Sequence, residues 1–389
     1  MQNKHILLMP SWYPEDAEDI RGCFFREQAL ALLNVGIQVG VVTVELRSLR
    51  RWRTLFDRSH GIFYENDHGI NTLRFKTMYW FPRMPRLINR LSLFGGIKAF
   101  ELYIQKYGKP DLIHVHSCLH MGAVALYIKK KYGIPYIVTE HSSGYIRNLY
   151  TGYEINCTEN ILKQSNKLVA ISQIMGSFFR QKFTTQKHWE IIPNIVNAIF
   201  FERSLYKRSN NESFKFINVA FMNKNKMQIN IIKAVESLYN QGIQDIELII
   251  VGDGSEKKNL EEYIKQNNIP NIKLLGLQNR EFIADIMVQC DCFVLSSEVE
   301  TFGVVVIEAL ASGLPVVATR CGGPEDIVNP TNGLLVEKNN VEELASAMKK
   351  IKESDGVKYN NLAIRNACYE NYSESAVVNK LMTIYNQVK

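Results

Sequence analysis

Two glutamates, Glu300 and Glu308, bracket the segment Thr301-Phe302-Gly303-Val304-Val305-Val306-Ile307. Thr-Phe-Gly reads as a tight loop opening a helix, which sets one carboxylate just before the helix and the other two turns into it, both facing one ligand. Glu308 lies in the apolar run from Val304 to Ala311, where a buried carboxylate needs a polar partner. Vicinal hydroxyls of a ribose or hexose can donate to a carboxylate in a charge-assisted arrangement. Gly303 has no side chain, so a phosphate can approach the amides of Phe302, Gly303 and Val304 at the positive end of the helix. A structural pair is the alternative, Glu300 capping the helix and Glu308 meeting a surface lysine.

Further candidates sit where strands are expected to end. His114 and His116 alternate on a strand over Leu112 to His116 and so share a face, with His116 nearer the tip, while the next strand ends Thr139-Glu140-His141. Two adjacent histidine-bearing tips could position a hydroxyl nucleophile or contact a sugar, so His116 is a catalytic candidate and His141 an acceptor-side one. A satisfied core histidine is the alternative, and His114 is assigned that role. No third residue at metal-ligand spacing accompanies them. Gly22, after Ser11-Trp12-Tyr13-Pro14 and an acidic loop to Asp19, lets backbone approach a phosphate just before a helix. Lys226, in a polar loop leading to a helix near Gln228, can reach a diphosphate as a point charge. Loop glycines and surface lysines are each common. Val251-Gly252-Asp253-Gly254-Ser255 lacks the third glycine of a dinucleotide fingerprint and suits a tight strand-to-helix turn.

The elements that must position these residues follow from periodicity. At 389 residues the chain exceeds what one core usually organises, so two domains are expected. Short β-branched runs alternate with amphipathic helices, the pattern of doubly wound parallel sheets. Strands are expected at His5 to Met9, Val39 to Val44, Asn71 to Phe75, Leu112 to His116, Tyr136 to Thr139, Lys167 to Ile171 and Glu190 to Ile192, then at Phe214 to Ala220, Glu247 to Val251, Ile272 to Leu275, Cys292 to Leu295 and Pro315 to Ala318. The reading is an α/β chain of two Rossmann-like domains, 1–195 and 214–370, joined by a polar linker at 196–213, with a C-terminal helix at 371–389 packing back on the first domain. Ligands of such sheets bind beyond the carboxyl ends of the strands, which suggests a cleft between the domains.

Composition, 46% hydrophobic and 22% charged, fits a globular protein, and no segment carries the roughly 18 uninterrupted apolar residues of a membrane span. The start reads as a first strand rather than a signal peptide. Seven cysteines without metal spacing suit buried free thiols and a reducing cytoplasm. The net charge of +7 is uneven: Arg47, Arg50, Arg51, Arg53 and Arg58 crowd among Leu49, Trp52, Leu55 and Phe56. From Asn71 to Lys98, Arg74, Lys76, Arg83, Arg86, Arg90 and Lys98 interleave with Tyr79, Trp80, Phe81, Leu87, Leu91 and Phe94. Basic residues among aromatics suit an anionic lipid surface. A solvated face or an acidic-substrate groove is the alternative.

With these positions named, the chain resembles glycosyltransferase family four, the retaining group with the GT-B fold, over almost its full length. The resemblance rests on Ser11-Trp12-Tyr13-Pro14 with Gly22, Ile113-His114-Val115-His116, Ile192-Pro193-Asn194, Val251-Gly252-Asp253-Gly254, Ser296 through Glu308 continuing to Ala318, and Gly322-Gly323-Pro324-Glu325. It implies a nucleotide sugar held by the second domain and an acceptor by the first, with Glu308 on the ribose, Glu300 on the donor sugar, the amides of Phe302 to Val304 and Lys226 on the diphosphate, His116 near sugar and acceptor, and Gly22 facing the phosphates. Where the family often has Gly-Arg, this chain has Ala220-Phe221, so Lys226, Lys224 or a first-domain residue must neutralise the diphosphate instead. The resemblance implies no metal and no other cofactor. The expected activity is transfer of a sugar, from a UDP-sugar first and GDP-mannose second, to a hydroxyl of a saccharide or lipid-linked saccharide in surface polysaccharide biosynthesis. The enzyme is expected in the cytoplasm, peripheral on the inner membrane face, with no nucleic acid partner. A nucleotide-sugar hydrolase or epimerase, or a non-catalytic nucleotide-sugar binding protein, are the rival readings.

Overall fold

The computed structural model describes residues 4–16, 19, 22–47, 60–80, 84–185, 187–205, 208–209, 212–354 and 358–388. It divides into two compact units, Met1–Asn194 with Val377–Lys389, and Ile195–Ala376.

The first unit runs β1 His5–Pro10, α1 Cys23–Asn34, β2 Gln38–Arg47, β3 Gly61–Asp67, β4 Ile70–Met78, α2 Pro85–Tyr107, β5 Leu112–His116, α3 Met121–Tyr132, β6 Tyr136–Glu140, α4 Gly152–Gln164, β7 Lys167–Ala170, α5 Gln173–Lys182 and β8 Trp189–Ile191. Its sheet has the order β3-β4-β2-β1-β5-β6-β7-β8. Every pairing is parallel except β3 with β4. Central strands β1, β5 and β6 are buried along their whole length, as strands covered by helices on both faces are, and they read as largely apolar runs broken by the buried His5, His114, His116, Thr139 and Glu140.

The second unit runs α6 Ile199–Glu202, β9 Phe214–Val219, α7 Gln228–Asn240, β10 Ile246–Val251, α8 Lys257–Gln266, β11 Ile272–Leu274, α9 Arg280–Met287, β12 Cys292–Leu295, α10 Val304–Ala311, β13 Val316–Thr319, α11 Pro324–Ile327, β14 Gly333–Val336, α12 Val341–Glu353 and α13 Asn361–Tyr372. Its six strands, ordered β11-β10-β9-β12-β13-β14, are all parallel. A last helix, α14 Glu374–Gln387, starts where this unit ends, and from Val377 onward belongs to the first.

Two strands were not expected from sequence. β3 is an edge strand joined to β4 through His68 and Gly69, both at positive φ, the conformation of a tight hairpin turn. β14 is a four-residue edge strand beside β13. The stretch read as a polar linker begins by packing: Ile195, Val196 and Phe200 are buried in the second unit, and only the stretch beyond α6 is polar. In the first unit α14 is held by Tyr385, whose hydroxyl lies 2.7 Å from His114 Nδ1 and whose carbonyl accepts from Lys4 Nζ at 2.7 Å.

The basic stretches divide. Residues 48–59, with Arg50, Arg51, Arg53, Arg58 and their aromatic neighbours, and Phe81 and Arg83, lie outside the described residues. Arg47 and Arg74 are buried: Arg47 pairs with Glu45 at 2.6 Å, and Arg74 pairs with Glu65 and donates to the carbonyls of Tyr13 and Pro14. They hold the fold and present no charge to a lipid surface. Arg86, Arg90, Phe94 and Lys98 are exposed at intervals of four along α2, which puts them on one helix face.

Candidate active site

In the second unit the candidate residues gather at the carboxyl ends of β9, β12 and β13. The β9-to-α7 loop ends at Met227, which caps α7 with a left-handed backbone and fixes the direction of Lys226 just before it. Ser296, following β12, donates its hydroxyl to the carbonyls of Lys226 and Met227 at 2.8 Å each. One strand end therefore holds the other. Thr319 at the end of β13 donates to the Ser297 carbonyl at 2.7 Å, and Glu300 forms an isolated parallel bridge with Gly322.

That bridge explains the paired glycines. A Cβ on Gly322 would lie 2.3 Å from the Glu300 carbonyl oxygen, and one on Gly323 would lie 2.2 Å from Phe302 backbone, so side chains at either position would push the Glu300-to-Phe302 loop away. Gly252 is similar, its φ of 140° bringing the would-be Cβ within 2.0 Å of the Ala220 carbonyl oxygen, as the tight-turn reading of that motif requires.

The Glu300 carboxylate meets Lys226 Nζ in an ion pair and accepts from Ser297 Oγ at 3.0 Å. Gly303 caps α10 at φ 96°, and the amides of Phe302, Gly303 and Val304 make no hydrogen bond within the described residues. A helix start whose amides are uncommitted suits an anion. α10 begins at Val304, so Glu308 stands one turn into the helix rather than two. Its carboxylate is nearly buried and accepts from Arg280 Nη2 at 2.6 Å. Sequence reasoning missed Arg280: Asn279 caps α9 by accepting from the Phe282 amide, and the cap was a readable helix start, but nothing local shows that the next side chain crosses to α10. Lys224 and Phe221, near the missing arginine, are both exposed.

The first unit assembles its histidines at the ends of β5 and β6. His114 and His116 share a face with ring centroids 4.1 Å apart, and His116 Nδ1 lies 3.1 Å from His141 Nε2. His114 is satisfied on both nitrogens, by Tyr385 and by Thr139 Oγ1 at 2.7 Å. His116 has no solvent exposure and packs with His141 around Phe25, yet its Nε2 and the His141 Nδ1 have no partner. Burial keeps the imidazoles neutral, lowering His116 to about 3 and, with repulsion from histidine neighbours, His114 and His141 well below 6.5.

Glu140, also missed, organises these tips. Its buried carboxylate accepts from the amides of Cys118, His141 and Ser142 at 2.7, 2.9 and 2.8 Å. Burial pushes its carboxyl up against the opposing pull of those amides. Gly22 caps α1 with a left-handed φ of 76°, and a Cβ there would lie 2.8 Å from Trp12 Cδ1. Its lack of a side chain is thus used by Trp12.

Two doubly wound sheets in succession follow the plan of the GT-B fold. Residues 24–199 match the model described as glycosyltransferase family 4, and residues 204–370 match that of glycosyl transferases group 1. An uncharacterized glycosyltransferase of Methanocaldococcus jannaschii is 30% identical over 86% of this chain and 89% of its own. The chain belongs to the family-4 glycosyltransferases and is an enzyme of that class. The alpha-monoglucosyldiacylglycerol synthase of Acholeplasma laidlawii is 26% identical over 75% of this chain and 77% of its own. Among solved structures, Anabaena HepE in complex with UDP superposes with a TM-score of 0.74 at 18% identity, covering 99% of this chain and all of that one.

Proposed function

We propose that this glycosyltransferase is retaining and moves a sugar from a nucleoside diphosphate sugar, a UDP-sugar in preference to GDP-mannose, to a hydroxyl of a saccharide or lipid-linked saccharide in surface polysaccharide or glycolipid synthesis. The observation that carries the reading is the Glu300–Lys226 ion pair beside the uncommitted amides of Phe302 to Val304. A diphosphate supplies what the amides lack, and it competes with Glu300 for the lysine. Glu300, once released, accepts from hydroxyls of the donor sugar, while Glu308 accepts from the ribose with Arg280 holding its carboxylate in place. The leaving diphosphate gains charge as the glycosidic bond breaks, and preorganised Lys226 and helix amides stabilise it there; the reading assigns no metal. His116 and His141, neutral and buried, hold the tips of β5 and β6 on the acceptor side, and Gly22 belongs to the loop facing the phosphates.

Retention of configuration follows from the family resemblance. The UDP preference is supported by the UDP complex of HepE, and the lipid-linked acceptor by the diacylglycerol product named for the Acholeplasma relative. No helix among the described residues is long and apolar enough to cross a membrane. We place the enzyme peripherally on the cytoplasmic face, on the α2 stripe of Arg86, Arg90, Phe94 and Lys98 with Trp80, where Phe94 and Trp80 are 62% and 53% exposed.

A thermal-shift panel of nucleoside diphosphates and their sugars tests the reading. A ligand at a hundredfold excess over its Kd adds about 2.7 kcal/mol to the state that binds it. UDP and a UDP-sugar are expected to raise the melting temperature, and the product glycoside to keep the donor's anomeric configuration by proton NMR. A chain that no nucleotide stabilises, or an inverted product, overturns it.

A further inference from the structure

The loop that carries Glu300 is tied down residue by residue, and two of the side chains that hold it have no role assigned above. Glu300 donates its amide to the Cys321 carbonyl at 2.9 Å, and its own carbonyl accepts from the Gly323 amide at 2.8 Å. Just before it, Asn225 holds the loop at two points. Its carbonyl accepts from the Glu298 amide at 2.8 Å, and its Nδ2 donates to the Val299 carbonyl at 3.1 Å. Asn225 is fixed in turn by Asn223, whose side-chain oxygen accepts from the Asn225 amide at 3.0 Å. From another side Asn339, in the turn between β14 and α12, donates to Glu298 Oε1 at 2.6 Å and accepts from Asn230 Nδ2 of α7 at 3.3 Å.

These contacts leave the two members of the ion pair with unequal freedom. Lys226 follows Asn225 in the chain, and its ammonium rides on a flexible four-carbon stem that can swing to a new partner. Glu300 has a shorter stem on a backbone held at both its amide and its carbonyl. A ligand hydroxyl gains most from an acceptor that is already in place, because a loosely held one must be ordered as the ligand binds. The carboxylate is therefore the fixed partner and the lysine the movable one.

We propose that Asn225 is a positioning residue for recognition of the donor's sugar, acting through Glu300. By tying Glu298 and Val299 to the residue beside Lys226, it keeps the carboxylate at its station when the lysine turns to a diphosphate. Asn339 steadies the same loop through the Glu298 side chain. Val299 is half-buried, so water can take the place of Asn225 Nδ2 after truncation, and the loss is one of placement rather than of fold.

The inference rests on the proposed role of Glu300 as acceptor for the sugar hydroxyls, and one set of calorimetric titrations separates the two. On the full chain, UDP is compared with UDP-glucose, UDP-galactose and UDP-N-acetylglucosamine, and GDP with GDP-mannose, which gives the affinity each sugar adds to its nucleotide. In the wild type the best sugar is expected to tighten binding roughly fivefold or more, as hydrogen bonds to a charged group do. Asn225→Ala is expected to cut that added affinity roughly threefold or more while the Kd of the bare nucleotide stays within about twofold of wild type. Damage to the fold at large would weaken both ligands alike. Asn339→Gly, which keeps the left-handed backbone at that turn and removes the amide, should act in the same direction and serves as the independent variant if Asn225→Ala misfolds. Added affinity that stays at the wild-type value in the folded variants, or a bare nucleotide weakened as much as its sugar form, overturns the positioning role. A wild type that binds none of these nucleotides, or gains less than about fivefold from every sugar, overturns the donor reading of Glu300 instead.

Discussion

Mild acid should destabilise the first unit, and the buried histidines set the scale. His114, His116 and His141 have folded pKa values held below the ordinary 6.5 by burial, so their neutral forms are favoured by folding. A depressed folded value means the contribution is whole above pH 6.5 and is lost as pH falls toward the folded value, because the unfolded chain takes up the protons first. Between about pH 7.5 and 5.5 each such histidine removes about 1.4 kcal/mol, and the three together about 4 kcal/mol. Glu140 works the other way, its raised folded value letting the native state bind a proton before the unfolded one does, while His5 and His120, also lowered by burial, add to the loss, so about 4 kcal/mol is the share of these three alone. All four tryptophans, Trp12, Trp52, Trp80 and Trp189, lie in Met1–Asn194, so urea unfolding followed by tryptophan fluorescence reads this unit alone. The midpoint should fall on acidification, and His141→Gln should reduce the pH sensitivity by about a third. A loss below one histidine's share of about 1.4 kcal/mol, or a midpoint that rises, would refute the reasoning.

Other substitutions probe single contacts. Glu308→Ala removes the proposed ribose acceptor and leaves Arg280 unpaired, so the Kd for UDP should rise roughly ten- to hundredfold by calorimetry, matching hydrogen bonds to a charged group; unchanged affinity ends the ribose role. Gly322→Ala places a Cβ 2.3 Å from the Glu300 carbonyl at a φ of 121° and should cost about 1–3 kcal/mol in the second unit, read by circular dichroism during urea unfolding. Tyr385→Phe leaves a buried nitrogen of His114 with only Gln28 Nε2 at 3.5 Å and should cost the first unit about 1 kcal/mol, and a midpoint equal to wild type would show that α14 docks without that bond.

The central strands and the loop tips were legible because parallel strands covered on both faces are mostly apolar, as β1 and β12 are, and because glycines such as Gly252 and Gly303 stand where the backbone has positive φ. Edge strand β3 was not legible because one open edge relaxes the demand for apolar residues, while β14 is a four-residue run too short to stand out. His68-Gly69 was the available signal for β3. Long-range partners were beyond reach for a different reason. Arg280 meets Glu308 from another helix, Tyr385 reaches His114 from the far end of the chain, and neither spacing leaves a periodic trace. The same limit misled the charge reading: Arg74 looked like one of a basic run, yet it is buried against Glu65 on the neighbouring strand.

Both glutamates are already paired with cations, and this shapes how a donor enters. An unpaired carboxylate in so enclosed a place would be costly, and Lys226 and Arg280 offset that cost. The two pairs differ in what a nucleotide sugar does to them. Arg280 can keep its grip on one Glu308 oxygen while hydroxyls approach the other, so the proposed ribose binding would need no exchange. Lys226 cannot serve Glu300 and a diphosphate fully at once. On the proposed reading, a bound diphosphate would withdraw the lysine from Glu300 and leave that carboxylate in need of new donors, which hydroxyls of the attached sugar would supply. UDP alone draws the lysine away without replacing it, and so should bind less tightly than a UDP-sugar whose hydroxyls reach Glu300. Glu300→Gln, neutral and without an ion pair to lose, should narrow that difference.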